Sequence, residues 1–111
     1  MKIMLSKPEK IVNKAWGHEL WIHNDEDYCG KLLVFKKDHK FSMHFHLLKK
    51  ETWYISKGKF QYSYIDTEKA IQKDIIVSEG DIIHLDRGQP HQMLALEEES
   101  TIFEVSTQHF D

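Results

Sequence analysis

Hydrophobic and polar positions alternate along much of this chain with a period of two residues. The segment KFQYSYI places Phe60, Tyr62 and Tyr64 on one face and polar side chains on the other. Such alternation is typical of a β-strand that is buried on one face only. On this pattern we predict strands at 19–24, 31–37, 41–47, 52–57, 59–65, 74–80, 81–85, 91–97 and 101–107.

One short segment, TEKAIQK at 67–73, favours a helix instead. Short strands that recur at intervals of about 8–12 residues, with turns between them, predict an all-β sandwich or barrel. The 111 residues are close to the commonest size of one domain, and no linker-like stretch interrupts them. We therefore expect a single domain over 1–111 with little helix.

The composition argues against several classes of protein. No apolar run approaches the roughly 20 residues that a membrane-spanning helix needs, and the lone Cys29 suits a reducing compartment. The net charge is −3, Arg87 is the only arginine, and no basic patch with interleaved aromatic residues stands out. We expect a cytoplasmic protein that binds neither membranes nor nucleic acid.

Eight histidines are the anomaly in this composition. In MHFHLLKKETW, His44 and His46 share one face of a predicted strand, and Glu51 follows after a polar turn. In GDIIHLDRGQPHQM, His91 stands at the start of another predicted strand, directly after Pro90. Imidazole and carboxylate groups are ligands that Zn²⁺ and similar ions take in proteins. These histidines and the glutamate are therefore candidate metal ligands.

The two motifs together resemble those of the cupin superfamily. The first runs from His44 to Gly58 and the second from Gly80 to His91, and a glycine that usually precedes the first histidine by six residues is Asp38 here. The resemblance implies a double-stranded β-helix, or jelly-roll barrel, that holds one divalent transition metal ion per chain. The ligands that it implies are His44, His46, Glu51 and His91.

A narrower resemblance is to small single-domain cupins related to the type II mannose-6-phosphate isomerase domain. It rests on the stretches KAWGHELWIHND, YCGKLLVF and FEVSTQHFD. A glutamine usually holds the place of His44 in that domain. The resemblance therefore implies the fold and the metal site more strongly than it implies isomerase activity.

Three functions are compatible with such a site. The first is a metal-dependent isomerase, epimerase or lyase acting on a small sugar-phosphate-like or other oxygenated anion, and the narrower resemblance favours it. The second is an Fe(II) dioxygenase of a small molecule, and the third is a non-catalytic module that binds a sugar or nucleotide sugar through its metal. Mixed nitrogen and oxygen ligation favours Fe, Mn, Ni, Cu or Zn over Ca or Mg.

Other residues are candidates for work at the same site. Lys31 opens an otherwise apolar strand, and Trp53 shares the face of Glu51. The candidate substrate-binding residues are Lys31, Trp53 and Arg87. The candidate proton-transfer residues are Tyr62, Tyr64 and His84.

The apolar stretch KLLVF and an additional N-terminal strand also bear on assembly. Small barrels expose an edge strand and an apolar sheet face, and pairing two such faces hides both. We therefore expect a homodimer. We also expect each chain to bind a small-molecule ligand.

Overall fold

Nine β-strands form two antiparallel sheets in a computed structural model, which describes residues 4–110. These residues contain no helix, and so none that is long and apolar enough to cross a membrane. The prediction of an all-β jelly roll with little helix is confirmed. The strands are β1 (Lys10–Lys14), β2 (Gly17–Asn24), β3 (Cys29–Phe35), β4 (Glu51–Lys57), β5 (Lys59–Asp66), β6 (Ile71–Ser78), β7 (Ile82–Leu85), β8 (His91–Ala95) and β9 (Ser100–Ser106).

The larger sheet has six strands in the order β1-β2-β3-β9-β4-β7, and the smaller sheet has three in the order β6-β5-β8. All of these neighbours are antiparallel. β9 lies between β3 and β4, so the last strand of the chain pairs with two strands from its first half. Such pairing of distant strands is typical of a jelly roll.

The hydrophobic core lies between the two sheets, on the inward face of each strand. Alternation along β3 and β4 predicts which residues point inward, and the burial pattern agrees. These residues are Lys31, Leu33, Phe35, Glu51, Trp53 and Ile55. The apolar members lie towards one end of the strands and the charged members towards the other, so the core ends where a polar site begins.

The predicted strand at 41–47 is wrong. The chain instead bridges β8 at two isolated points, Lys40 to Leu94 and His44 to His91. It bends between these bridges and again after the second. A strand needs an unbroken ladder of paired residues, and the bends interrupt it.

The predicted helix at 67–73 is also wrong, because the chain turns after Asp66 and enters β6 at Ile71. The carboxylate of Asp66 accepts hydrogen bonds from the backbone N–H groups of Glu68 and Lys69, each at 3.1 Å. A side chain that caps a turn in this way competes with helical hydrogen bonding. β5 and β6 therefore form a hairpin.

The remaining predicted strands are present with small shifts at their ends. β6 begins at Ile71 rather than at 74, and β7 begins at Ile82 rather than at 81. The additional N-terminal strand, which the sequence predicts without bounds, is β1, a short edge strand in which polar residues flank Ile11 and Val12.

The turn between β4 and β5 gives a prediction about stability. Gly58 has a φ of +81°, and a Cβ there would clash with Ser100, whereas Gly80 has a φ of +96° and nothing within 4 Å of an added Cβ. Both alanine substitutions carry the cost of a positive φ, but only Gly58→Ala adds overpacking. We expect Gly58→Ala to lower the free energy of unfolding by roughly 1–3 kcal/mol more than Gly80→Ala, as measured by urea denaturation. Equal losses would contradict a role for the contact with Ser100.

Candidate metal centre

Three histidines from two parts of the chain meet at one end of the barrel. His44 and His46 belong to the irregular segment beside β8, and His91 is the first residue of β8. The backbones of His44 and His91 exchange two hydrogen bonds, with N to O distances of 3.1 and 2.9 Å. One ring nitrogen from each of the three histidines lies within 4.8 Å of the other two. This cluster could hold a metal ion.

The orientation of two rings suits that role. Nδ1 of His44 lies 3.0 Å from the carbonyl oxygen of Ser42, and Nδ1 of His91 lies 2.8 Å from that of Gln89. Because a carbonyl oxygen only accepts, each Nδ1 carries the hydrogen and each Nε2 keeps its electron pair, as in metal-bound histidines. Nε2 of His91 is buried without a hydrogen-bond partner among residues 4–110. A buried nitrogen without a partner is costly, and an ion would satisfy it.

Glu51, the first residue of β4, places a carboxylate beside the histidines. Its Oε2 lies 3.8 Å from Nε2 of His46 and 3.9 Å from Nε2 of His91. Its Oε1 accepts a hydrogen bond from Nε1 of Trp53 at 3.2 Å and lies 3.4 Å from Nζ of Lys49. One carboxylate oxygen is therefore held by neighbours while the other faces the histidines.

Burial lowers the pKa of each of the three histidines. The pKa falls to about 4 for His46, where the Lys49 ammonium adds to the effect of burial, and to about 4 for His91. The pKa of His44 shifts in the same direction, also mainly through burial. The rings are therefore neutral near pH 7, their contacts with Glu51 are not ion pairs, and neutral imidazole is the form that binds metals.

His44, His46 and Glu51 line a cavity of about 450 Å³. Two of the predicted substrate-binding residues, Lys31 and Trp53, line the same cavity. The structure thus brings the charged and aromatic candidates of β3 and β4 to the histidine cluster.

The third candidate, Arg87, lies outside this cavity. Its Nε donates a hydrogen bond to the carbonyl oxygen of Leu48 at 3.0 Å, on the surface of the protein. The substrate-binding roles of Arg87, Lys31 and Trp53 stay predictions.

The three predicted proton-transfer residues lie together, but not in the histidine cavity. Tyr62, Tyr64 and His84 line a separate depression of about 220 Å³. Burial raises the pKa of Tyr62 to about 12, and Nδ1 of His84 lies 3.2 Å from Oγ1 of Thr52. Their catalytic role stays a prediction.

Two buried charged residues at the cavity were missed as site residues by the sequence analysis. Nζ of Lys49 lies 2.7 Å from Oε2 of Glu104 and 3.1 Å from Nδ1 of His109. Burial opposes the charge on Lys49, yet Glu104 and Glu51 together raise its pKa. Burial, with Glu51 next, raises the pKa of Glu104.

The sequence carries a signal for one of the two. Glu104 lies two residues after the buried Ile102 in β9. Both side chains therefore lie on the inward face of the strand. Lys49 lies in an irregular segment with no such alternation, so only the folded chain reveals its burial.

The two facing sheets and the cavity with its histidine cluster define a small jelly-roll protein with a candidate metal site. A protein-family model for the cupin domain matches residues 31–106, which is more than half of the chain. The chain therefore belongs to the cupin family. No curated protein sequence matches it significantly.

Solved structures share the fold. KdgF from Halomonas sp. matches with a TM-score of 0.74 and 17% identity, over 85% of this chain and 80% of that one. Oxalate decarboxylase from Bacillus subtilis matches with a TM-score of 0.79 and 22% identity over 92% of this chain. That enzyme has Mn(II) centres. This chain covers only 28% of that decarboxylase. At such identities the likeness shows the fold alone.

The lowered histidine pKa values give a prediction for the metal-free protein. His46 and His91 stay neutral in the folded state down to about pH 4 but take up protons near pH 6.5 once unfolded. Proton uptake by the unfolded state should therefore lower the free energy of unfolding as the pH falls from about 6.5 to about 4. Urea denaturation at several pH values in the presence of a chelator measures this dependence.

A variant separates this effect from that of the carboxylates. His91→Leu should flatten the decline between pH 6.5 and 4, because it removes one group that protonates only on unfolding. His39→Leu, at an exposed position, is the matched control and should retain the slope of the unmodified protein. Identical slopes for all three proteins would refute the assignment.

Proposed function

We propose that this cupin is a metal-dependent enzyme of the isomerase, epimerase or lyase type that acts on a small, sugar-phosphate-like or other oxygenated anion. The observation that carries the proposal is the cluster of His44, His46 and His91 at a cavity of small-molecule size. The buried Nε2 of His91, which lacks a partner among the described residues, supports an ion at this place.

Four residues would hold the metal ion, namely His44, His46, Glu51 and His91. A divalent transition metal would act as a Lewis acid that polarises a carbonyl or carboxylate oxygen. Mixed nitrogen and oxygen donors suit Fe, Mn, Ni, Cu or Zn, and the Mn(II) centres of a similar fold in oxalate decarboxylase agree with that range.

The charge of the cavity favours an anionic substrate. Four lysines and three glutamates line it, and the histidines of the cluster are neutral. With a divalent ion bound, the lining would carry a clear excess of positive charge. The lysines are Lys10, Lys14, Lys31 and Lys49, and the glutamates are Glu19, Glu51 and Glu104.

One group that could move a proton is present within this cavity. Burial raises the pKa of Glu104, which is the direction expected of a carboxyl group that both gives and takes a proton. Glu104 is therefore our first choice for proton transfer, ahead of the tyrosines outside the cavity.

Metal content is the primary test of this proposal. Protein purified without added metal or a histidine tag should contain about one transition metal ion per chain by elemental analysis. His46→Ala and His91→Ala should each lower that content at least about ten-fold, whereas His39→Ala should retain it. A metal-free protein that also fails to take up Fe, Mn, Ni, Cu or Zn would refute the metal site.

Assays of the metal-loaded protein then discriminate among the three candidate functions. We expect turnover of aldose or ketose phosphates. The exchange of substrate hydrogen with deuterated water measures this turnover. Oxygen uptake that requires iron would replace the proposal with the dioxygenase. Saturable binding of sugars or nucleotide sugars without turnover would replace it with the binding module.

We also propose that the protein is a homodimer that pairs through the outer face of its larger sheet. One row of apolar residues crosses all six strands on that face. In the order of the strands, the row is Ile11, Leu20, Leu32, Phe103, Tyr54 and Ile82. Four of the six are exposed, namely Ile11, Phe103, Tyr54 and Ile82. A continuous apolar row at a surface favours a partner, and a second copy offers the same row.

Sedimentation equilibrium at micromolar concentration should give twice the chain mass of 13.2 kDa. Phe103→Lys, in the centre of the row, should shift the mass to that of one chain, because pairing would bury unpaired charges. Ile76→Lys is the control, since Ile76 is exposed on β6 of the other sheet. A monomeric unmodified protein, or a dimeric Phe103→Lys variant, would contradict this interface.

A further inference from the structure

Lys31 is a buried cation whose nearest carboxylate lies beyond hydrogen-bonding distance. Its side chain is only 2% exposed, and its Nζ makes no hydrogen bond within residues 4–110. The nearest carboxylate oxygen is Oε1 of Glu19, at 3.9 Å, which is too far for a hydrogen bond. That oxygen already accepts a hydrogen bond from Nε1 of Trp21 at 2.9 Å. The donors of the Lys31 ammonium are therefore available to a molecule in the cavity.

Lys49 provides the contrast within the same cavity. Its Nζ lies within 3.4 Å of Glu51, Glu104 and His109, so the protein itself supplies its partners. Glu104 is the cross-strand neighbour of Lys31, yet its carboxylate turns to Lys49. Among the described residues, Lys49 therefore has partners at hydrogen-bonding distance, whereas the carboxylate nearest to Lys31 lies beyond that distance.

Trp21 and Lys10 extend the surroundings of Lys31. The three residues are register neighbours on β1, β2 and β3. Nζ of Lys31 lies 3.8 Å from the centroid of the Trp21 ring, and Nζ of Lys10 lies 4.0 Å from it. The ring attracts both ammonium groups. Both lysines line the cavity, so they bring two positive charges to the surroundings of Trp21, which favours an anion there.

We propose that Lys31, Lys10 and Trp21 form an anion subsite that binds the phosphate or carboxylate end group of the substrate. This inference deepens the proposed function, on which it rests for the role of the cavity. The substrate then has two functional ends, an oxygenated group for the histidine cluster and an anionic group for the Lys31 subsite. Neutral sugars and monofunctional acids lack one of these ends and should bind more weakly.

The subsite can be tested without metal and without turnover. Chelator-treated protein is titrated with inorganic phosphate and, separately, with malonate, and binding is followed by tryptophan fluorescence. Trp16, Trp21 and Trp53 all line the cavity, so its occupation should change their emission. We expect saturable binding of at least one probe, and the tighter probe identifies the end group as phosphate or carboxylate.

Variants assign the binding to the subsite. Lys31→Met keeps the unbranched stem of the side chain but removes the ammonium group, and it should weaken binding about ten-fold or more through the loss of one charge-assisted hydrogen bond. Lys10→Met, at an exposed position, should weaken it several-fold without affecting the fold, and the exposed Lys73→Met should leave it unchanged. Thermal denaturation verifies that each variant is folded, and if Lys31→Met is not, Lys10→Met decides.

The outcomes separate this inference from the proposed function. No binding to the unmodified protein at millimolar probe, or equal binding by Lys10→Met and Lys73→Met, would overturn the subsite even if the metal is present and turnover occurs. Conversely, a protein that takes up no metal but binds phosphate or malonate through Lys31 retains the subsite while the metal-dependent enzyme is refuted. With metal restored, mannose 6-phosphate should bind more tightly than either inorganic phosphate or mannose, and equal affinity for the three would refute a two-ended substrate.

Discussion

The pair of backbone hydrogen bonds between His44 and His91 is the constraint on which the site depends. It joins an irregular segment to the first residue of β8 and brings the two ring centroids to 4.6 Å. His46 follows two residues later, and the backbone N–H of Gly88 donates to its carbonyl oxygen at 2.7 Å. Without these contacts the segment would have no fixed path across the end of the barrel. The three imidazole rings would then not lie close enough to one another to bind one ion.

Buried charge is the second constraint. Removing a carboxylate or an ammonium from water costs several kcal/mol unless partners replace the water. Lys49 meets this demand by lying between Glu51 and Glu104, and it also fixes one oxygen of Glu51. The protein therefore uses one internal cation to hold its candidate ligand carboxylate in place, whereas the carboxylate oxygen nearest to Nζ of Lys31, on Glu19, is 3.9 Å away.

Alternation in the sequence predicted most of the fold and part of the site. Period-two patterns located eight of the nine strands and placed Lys31 and Trp53 on inward faces, because in a strand the face of a residue follows from its neighbours. The segment at 41–47 defeated this reasoning, since it alternates but bends after each bridge to β8. The Asp38 that replaces the usual glycine has a φ of +64°, so the left-handed turn persists with a residue that tolerates it.

The contacts of Lys49 could not have been predicted from any local pattern. Its partners Glu104 and His109 lie more than fifty residues away and meet it only because β9 inserts between β3 and β4. The proton-transfer candidates show the same limit in reverse. Tyr62 and Tyr64 carry hydroxyl groups that can transfer protons. The register of β5, however, places them at a depression separate from the cavity that His44 and His46 line.

The strands β3, β4 and β9 each have an apolar end and a polar end. In β3, β4 and β9 the inward positions change from apolar to polar along each strand, as Leu33 pairs with Ile102 and Lys31 with Glu104. The apolar end contributes burial that stabilises the jelly roll, at about 25 cal/mol per Å² of apolar surface. The polar end instead carries the histidine cluster and the buried charged residues. A single fold can therefore retain its core while the residues at its polar end determine the ion and the anion that we propose as its ligands.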